Sequence, residues 1–232
     1  MGKAKYADVW LVRAGCTQWD QEGRIVGAAD LPTCQAGLEA ARSAARTLSE
    51  EALSAVLCAD TEAAQTTGRL IAEACETRLR ALNDLGEMGL GLWEGTLACD
   101  IEGRCPTIYR QWKNDPSSVI PPEGEAFEDA LNRVRDSLGP AIAKYAKAGQ
   151  GVAIVVGPTV FGIINCWLRK QPPSDLWKIV DQTQSLQRLA VDLGTMTAVQ
   201  AAGSREDIAA VHGSAGSWQG RENTIPVRHW RR

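Results

Sequence analysis

Three short loops of this 232-residue chain carry side chains suited to chemistry. Residues 13–17 offer the Arg13 guanidinium and the Cys16 thiol, residues 59–62 offer two carboxylates, and residues 157–159 follow a strongly apolar run. Glu87, in a glycine-rich stretch, adds a carboxylate suited to proton transfer. A guanidinium in such a set can hold an anion, and a thiol can act as a nucleophile.

Histidine, the usual acid–base side chain near neutral pH and a common metal ligand, is almost missing from the chain. The two histidines, His212 and His229, lie in the last 21 residues and lack the spacing of a metal site. The seven cysteines are scattered without a C-x-x-C pair, which indicates reduced thiols rather than zinc ligands or disulfides. We therefore expect a cytoplasmic protein with no metal and no cofactor.

Apolar runs alternate with helical patterns, which predicts an α/β fold of three layers: a mostly parallel central sheet with helices on both faces. Strands are predicted over residues 7–12, 54–58, 79–82 and 152–156, followed by a hairpin of 186–193 and 196–201. Helices are predicted over residues 33–48, 61–75, 127–147 and 160–168, with Gly139-Pro140 expected to kink or break the third. Because ligands bind outside the carboxyl ends of such strands, the three loops are expected to form one site.

The predicted organisation is one α/β domain over residues 1–203 and a basic tail over residues 204–232. Residues 83–125 are rich in glycine and proline and are expected to form an irregular cap insertion. The tryptophans and tyrosine of this cap either line a ligand or partner surface or cover the end of the sheet: Trp93, Tyr109 and Trp112. The tail is either an unstructured end or an arm that contacts a protein partner or another copy through four residues: Trp218, Arg228, Trp230 and Arg231.

Composition excludes several classes of function. The formal net charge of −3 does not favour nucleic-acid binding, and the apolar fraction of 44% is that of a globular protein. No run of 18 apolar residues is present, so no membrane span is expected.

Several motifs, in order along the chain, resemble those of the histidine phosphatase superfamily, which includes the phosphoglycerate mutases. The opening motif of that family is Val-Arg-His-Gly-Glu-Thr-x-Trp-Asn. The matching segments here are Val12-Arg13-Ala14-Gly15-Cys16-Thr17-Gln18-Trp19-Asp20, Gly23-Arg24, Asp30-Leu31-Pro32-Thr33, Ala63-Ala64-Gln65-Thr66, Glu87 with Gly91-Leu92-Trp93-Glu94-Gly95, Pro122-Glu123-Gly124-Glu125 and Arg133-Val134.

The resemblance implies a phosphate site in which the first-motif histidine becomes phosphorylated. Two arginines and a second histidine surround the phosphate, and a carboxylic acid donates the proton. Here Ala14 stands at the nucleophilic histidine, Glu62 at the second arginine and Pro158 at the second histidine, whereas Arg13 and Glu87 are retained. Two like charges about 4 Å apart repel by about 4 kcal/mol at an effective dielectric of about 20, so Glu62 opposes a bound phosphate.

The residues implied in binding are Arg13, Gly15, Thr17, Glu62 and Glu87. For Arg13 we favour an ion pair with Glu62 or Glu87 over binding of an anionic ligand, and for Glu87 a structural role over that of a working acid. Pro158 either belongs to a remodelled binding loop or simply begins the next helix.

Three functions remain open from the sequence. The first is a catalytically inactive protein of this fold with a binding, regulatory or assembly role. The second is a phosphatase-like or mutase-like enzyme with altered chemistry in the same cleft, using Glu87, Cys16 or Asp60. The third is a structural subunit of a larger complex, tethered by its tail.

Overall fold

The computed structural model describes residues 5–147 and 149–199. Six strands form its central sheet: β1 (Tyr6–Arg13), β2 (Leu53–Ala59), β3 (Leu79–Leu82), β4 (Gly151–Val156), β5 (Leu186–Asp192) and β6 (Thr197–Val199). Their spatial order is β3-β2-β4-β1-β5-β6. The first four of these neighbours are parallel, whereas β5 and β6 form an antiparallel hairpin beside β1. The predicted sheet and its carboxyl-terminal hairpin are confirmed.

Burial explains why the two central strands read as continuous apolar runs. Every residue of β2 and β4 is buried, because parallel strands inside a sheet are covered on both faces. Strand β1 lies between β4 and β5, with Val9 paired to Val152 and to Leu189. The carboxyl ends of β1, β2 and β4 therefore meet at one edge of the sheet, as the sequence predicts.

Helices flank both faces of this sheet. They are α1 (Gln18–Glu22), α2 (Gln35–Leu48), α3 (Glu62–Ala74), α4 (Ala98–Arg104), α5 (Pro106–Asn114), α6 (Phe127–Tyr145), α7 (Pro158–Arg169) and α8 (Leu176–Gln182). Helix α2 packs on α3, while α7 packs on both α6 and α8. The four helices predicted from the sequence are confirmed as α2, α3, α6 and α7.

The cap over residues 83–125 is more regular than expected. It contains α4 and α5 in addition to short 3-10 turns, so the expectation of an irregular insertion was wrong. Pro106 occupies the first turn of α5, where its missing N–H and fixed φ favour a helix start. Tyr109 and Trp112, one turn apart, give α5 its buried side.

Helix α6 is not broken at Gly139-Pro140, so of the two expected outcomes, a kink or a break, the break was wrong. It runs as one helix with Pro140 inside it. An interior proline costs about 3 kcal/mol through a lost hydrogen bond and a clash. Leu138 and Ile142, both fully buried on either side, supply packing that opposes this cost.

In the part of the chain that the structure describes, no helix combines the length and apolar character needed to cross a bilayer. The same residues contain no group of three or more His, Cys, Asp or Glu side chains placed to hold a metal ion. The tail residues Trp218, Arg228, Trp230 and Arg231 and both histidines lie outside the described residues, so their assignment stays a prediction.

Candidate functional site

The loop after β1 is fastened to the neighbouring elements by its backbone. The N–H of Ala14 donates to the carbonyl oxygen of Val156 at 2.8 Å, and the N–H of Gly15 donates to Oγ1 of Thr67 at 2.9 Å. Thr67 is fully buried in α3. The position of Ala14 is therefore fixed between the end of β4 and the first turns of α3, at the edge where the three loops meet.

Close backbone contact between this loop and α2 depends on two glycines. A Cβ at Gly15 would lie 2.6 Å from the carbonyl oxygen of Gly37, and a Cβ at Gly37 would lie 2.4 Å from that of Cys16. Such distances exclude any side chain at either position. Gly15 is thus a packing position rather than one free to contact a ligand.

Thr17 is the N-cap residue of the short helix α1. It caps this helix in a capping box with Asp20, in which the Thr17 N–H and hydroxyl each donate to Oδ2 of Asp20 at 2.7 Å. Thr17 is only 6% exposed, so its polar groups are already satisfied within the protein.

Arg13 does not form the expected ion pair with Glu62 or Glu87. Its Nη1 and Nη2 atoms donate to the carbonyl oxygens of Val180 and Thr183, both at 3.0 Å, at the end of α8. No carboxylate of the described residues lies within ion-pair distance of Arg13. The last carbonyls of a helix lack partners inside it, and α8 offers two of them to the guanidinium.

The environment of Arg13 is apolar on one side. Its guanidinium lies 5.5 Å from the ring centre of Phe161, and burial lowers its pKa, an effect that the nearby Asp181 carboxylate opposes. Its Nε atom is buried without a hydrogen-bond partner among the described residues. The side chain is therefore a fixed part of the packing between β1, α7 and α8.

The carboxylate of Glu87 reaches the start of α7. Its Oε2 accepts the N–H of Thr159 and its Oε1 accepts the N–H of Val160, both at 2.9 Å. These N–H groups have no partner within the helix, and they form a natural anion site. A carboxylate of the protein itself thus fills the anion position beside Pro158.

Burial raises the pKa of the Glu87 carboxyl, while the backbone N–H groups of Val160 and Thr159 act in the opposite direction. Gly157, which precedes the helix, makes room for this side chain, because a Cβ there would lie 2.5 Å from the Glu87 carboxyl carbon. Pro158 is exposed and begins α7, in agreement with the second of its two sequence interpretations.

Arg133 holds the segment that carries Glu87. It donates to the carbonyl oxygens of Asp84, Gly86 and Glu87 and forms a bidentate ion pair with Glu125. The pair with Glu125 raises the pKa of Arg133, which keeps the guanidinium charged. The sequence places both residues in family motifs but gives no sign of this supporting role.

Glu62 lies at the first position of α3 and is exposed. Its backbone N–H donates to Oδ1 of Asp30 at 2.7 Å, whereas its side chain makes no hydrogen bond or ion pair with the described residues. Glu62, at the position where the resemblance places the second arginine, therefore lies in solvent at the start of α3.

Cys16 faces another cysteine. Its Sγ lies 3.2 Å from Sγ of Cys34, and burial together with this contact raises the pKa of Cys16 to about 12. A thiol is a poor nucleophile until it loses its proton. The arrangement does not favour Cys16 as a substitute for the missing histidine.

The aromatic residues of the cap form a buried cluster rather than an open surface. Trp93 and Trp112 meet edge to face with ring centres 5.5 Å apart, and Tyr109 lies 5.8 Å from Trp112. Trp177, in α8, adds a fourth ring 4.6 Å from Trp112 and donates its Nε1–H to the Trp112 carbonyl. The cluster packs the cap against α8. The same helix accepts the hydrogen bonds of Arg13 at its carboxyl-terminal end.

Two cavities lie beside α7, away from the three loops. One, of about 440 Å³, is lined in part by Phe127, Leu131 and Trp167. The other, of about 190 Å³, is lined in part by Asn165 and Lys178. Neither includes any of the candidate site residues.

The candidate site thus lies at the carboxyl ends of parallel strands, where open α/β sheets bind ligands, with Arg13 at the end of β1 and Glu87 at the start of α7. The chain matches the model of the histidine phosphatase superfamily (branch 1) over residues 9–202, and it belongs to that family.

Known members of the family resemble this chain at modest identity. The adenosylcobalamin/alpha-ribazole phosphatase of Escherichia coli is 29% identical over 175 residues, covering 75% of this chain and 85% of the relative. The alpha-ribazole phosphatase structure from Shigella flexneri matches with a TM-score of 0.68 at 28% identity, covering 83% of this chain and 93% of that one. Mycobacterial glucosyl-3-phosphoglycerate phosphatase with bound VO3 has the same fold, with a TM-score of 0.75 at 20% identity over 83% of this chain and 96% of its own.

Proposed function

We propose that this protein is a catalytically inactive member of the histidine phosphatase superfamily with a binding, regulatory or assembly role. The observation that carries the proposal is the Glu87 carboxylate, which accepts the two free N–H groups at the start of α7. In a working phosphate site these donors and the neighbouring histidine would be available to the phosphoryl oxygens. Here an internal anion holds them, and Pro158 stands where the family resemblance places the histidine.

The position of the nucleophile supports the same conclusion. Ala14 lies in the loop after β1, at the residue where the resemblance places the phosphorylated histidine, and its methyl group cannot attack phosphorus. Cys16, two residues further on, contacts Cys34 and has a raised pKa. Ala14 therefore supplies no nucleophile, and Cys16 keeps its proton at neutral pH, which makes it a poor nucleophile toward phosphorus.

Charge at the cleft also opposes a phosphate dianion. The Arg13 guanidinium is engaged with the carbonyls of Val180 and Thr183, so fewer of its N–H groups remain for a ligand. Glu62 adds a negative charge at the rim. Catalysis of phosphoryl transfer depends on donors already aimed at the developing charge, and here the two N–H groups of α7 and two donors of Arg13 are already engaged.

The test is turnover of simple phosphomonoesters, such as p-nitrophenyl phosphate, by the purified full-length chain, with Glu87→Gln as the matched control. Glu87→Gln removes the acid while keeping the shape of the side chain. We expect native protein and variant to release phosphate at the same background rate. Turnover by the native chain well above that of the variant would refute the proposal.

A second candidate is an enzyme with altered chemistry in the same cleft. One observation favours it: burial raises the pKa of Glu87, as is common for a general acid. The relatives include phosphatases of alpha-ribazole and of glucosyl-3-phosphoglycerate, so phosphomonoesters are the substrate class to try first. A rate that falls on Glu87→Gln substitution would support this candidate and exclude the first.

The binding role is proposed to involve a protein partner or a second copy, in the cytoplasm, through the basic tail with Trp218, Arg228, Trp230 and Arg231. No nucleic acid, membrane or cofactor is part of this proposal. Native mass spectrometry of the full chain and of a chain ending at residue 203 tests the tail. We expect the complex to be lost on truncation while the shorter chain stays folded; equal assembly of both chains would contradict the role of the tail.

A further inference from the structure

Two thiols lie in contact where the loop after β1 meets the start of α2. Sγ of Cys16 and Sγ of Cys34 are 3.2 Å apart, whereas a disulfide bond is about 2.05 Å long. A relative movement of about 1 Å would therefore bring the sulfurs to bonding distance. Both residues are half-buried, and both thiols are free.

The backbone around this pair already joins the two segments by hydrogen bonds. The N–H of Cys34 donates to the carbonyl oxygen of Cys16 at 2.9 Å, and Thr17 pairs with Thr33 in an antiparallel bridge. The tight approach of Gly15 to Gly37 prevents the two segments from sliding past one another. Forming the bond would thus need little rearrangement of the chain.

We propose that Cys16 and Cys34 form a redox-sensitive pair, a site at which a low-molecular-weight disulfide such as oxidised glutathione converts two thiols into an intrachain disulfide. The pair involves the loop that also carries Ala14, but the proposal does not depend on whether the cleft is active. A disulfide here would fix the loop that carries Ala14 to α2. In a reducing compartment such a bond would be transient and regulatory rather than structural.

The chemistry balances as two thiol–disulfide exchanges. Cys34, the residue that precedes the first turn of α2, loses its proton, attacks one sulfur of oxidised glutathione and releases one glutathione thiolate. Cys16 then gives up its proton and attacks the Cys34 sulfur, which releases the second glutathione. The protein loses two electrons and two protons, and both glutathione molecules end as thiols.

The raised pKa of Cys16 argues against this thiol as the first to react. A thiol that keeps its proton at neutral pH does not react first with an external oxidant, but it lies in contact with the sulfur that has done so. Cys99 and Cys105, on or beside α4, serve as the comparison. Their side chains are exposed to solvent, whereas those of Cys16 and Cys34 are half-buried.

The test uses the full-length native protein, incubated with oxidised glutathione, quenched by alkylation and digested with trypsin without reduction. Cleavage after Arg13, Arg24 and Arg42 places Cys16 in peptide 14–24 and Cys34 in peptide 25–42, and neither peptide contains another cysteine. We expect these two peptides linked as the dominant disulfide product, with an intact mass lower by two hydrogen atoms. Cys99→Ser with Cys105→Ser should leave the link unchanged, whereas Cys16→Ser should abolish it.

The same reaction in strong urea serves as the second control. There the seven cysteines lose their arrangement, so the preference for the 14–24 to 25–42 link should disappear. The proposal is overturned if, in native protein, both thiols remain fully alkylated while Cys99 and Cys105 react. It is equally overturned if Cys16 and Cys34 each carry glutathione instead of joining.

Discussion

The side chain of Glu87 passes directly across Gly157, where an added Cβ would lie 2.5 Å from the carboxyl carbon. The backbone of Gly157 has φ −70°, which any residue can adopt, so space alone demands glycine here. This relationship allows the position of the Glu87 carboxylate to be tested in solution.

Gly157→Ala is expected to lower the free energy of unfolding by about 1–3 kcal/mol, the usual cost of overpacking. In a Glu87→Ala background the same substitution should cost at least about 1 kcal/mol less, because the clashing group is gone. Urea unfolding of the four proteins gives this coupling directly. Gly103→Ala, in α4 with open space around it, is the control and should be neutral or stabilising. Equal costs in both backgrounds would show that Glu87 does not lie over Gly157.

Arg13 is expected to stabilise the end of α8. Arg13→Lys keeps the charge but loses the planar pair of donors to Val180 and Thr183, so unfolding should become easier by about 1–3 kcal/mol. Amide hydrogen exchange in α8 should quicken more than in α3. The exposed Arg188→Lys, which alters a surface pair with Asp8, should cost less than about 0.5 kcal/mol. A cost for Arg13→Lys no larger than this would mean that the two carbonyl contacts contribute nothing.

The raised pKa of Glu87 predicts a pH dependence of stability. The folded protein holds the Glu87 proton more tightly than the unfolded chain, whose pKa is near 4.5. The stabilising contribution is therefore complete below that value and declines as the pH rises through the interval up to the folded pKa. We expect the free energy of unfolding of native protein, relative to Glu87→Gln, to decrease as the pH is raised above about 4.5. An increase with pH would reverse the sign and contradict the raised pKa of the Glu87 carboxyl.

Restoring the family residues is expected to recover little activity. The triple variant Ala14→His, Glu62→Arg and Pro158→His returns the nucleophile and two phosphate partners. Arg13 would still donate to α8 and Glu87 would still hold the N–H groups of α7. Since a misplacement of about 1 Å costs about a hundredfold in rate, kcat/KM should fall short of an active relative by at least about that factor. Turnover close to that of an active relative would show that the side chains of Arg13 and Glu87 leave these contacts readily.

The sequence predicts the sheet, its main helices and the convergence of three loops, because these depend on local patterns. Buried parallel strands require continuous apolar runs such as residues 152–156, and Pro158 after such a run indicates a helix start. The positions of Ala14, Glu62 and Pro158 follow from motif spacing in the same way.

The partners of the retained site residues depend on contacts that no local pattern encodes. Arg13 binds carbonyl oxygens some 170 residues away, and a carbonyl acceptor leaves no trace in residue type. For Glu87 the sequence indicates a family position but not the two N–H groups of Thr159 and Val160. The contact of Cys16 with Cys34 is invisible for a similar reason, since it arises from the close packing of Gly15 on Gly37.

The most direct test of the occupied anion site is a calorimetric titration of inorganic phosphate into native protein and Glu87→Ala. Removing the carboxylate frees the N–H groups of Thr159 and Val160 at a helix start, where anions bind. We expect no saturable binding to the native chain at millimolar phosphate and measurable binding to Glu87→Ala. Saturable binding to native protein, at least as tight as to the variant, would contradict the conclusion that Glu87 keeps phosphate out of the cleft.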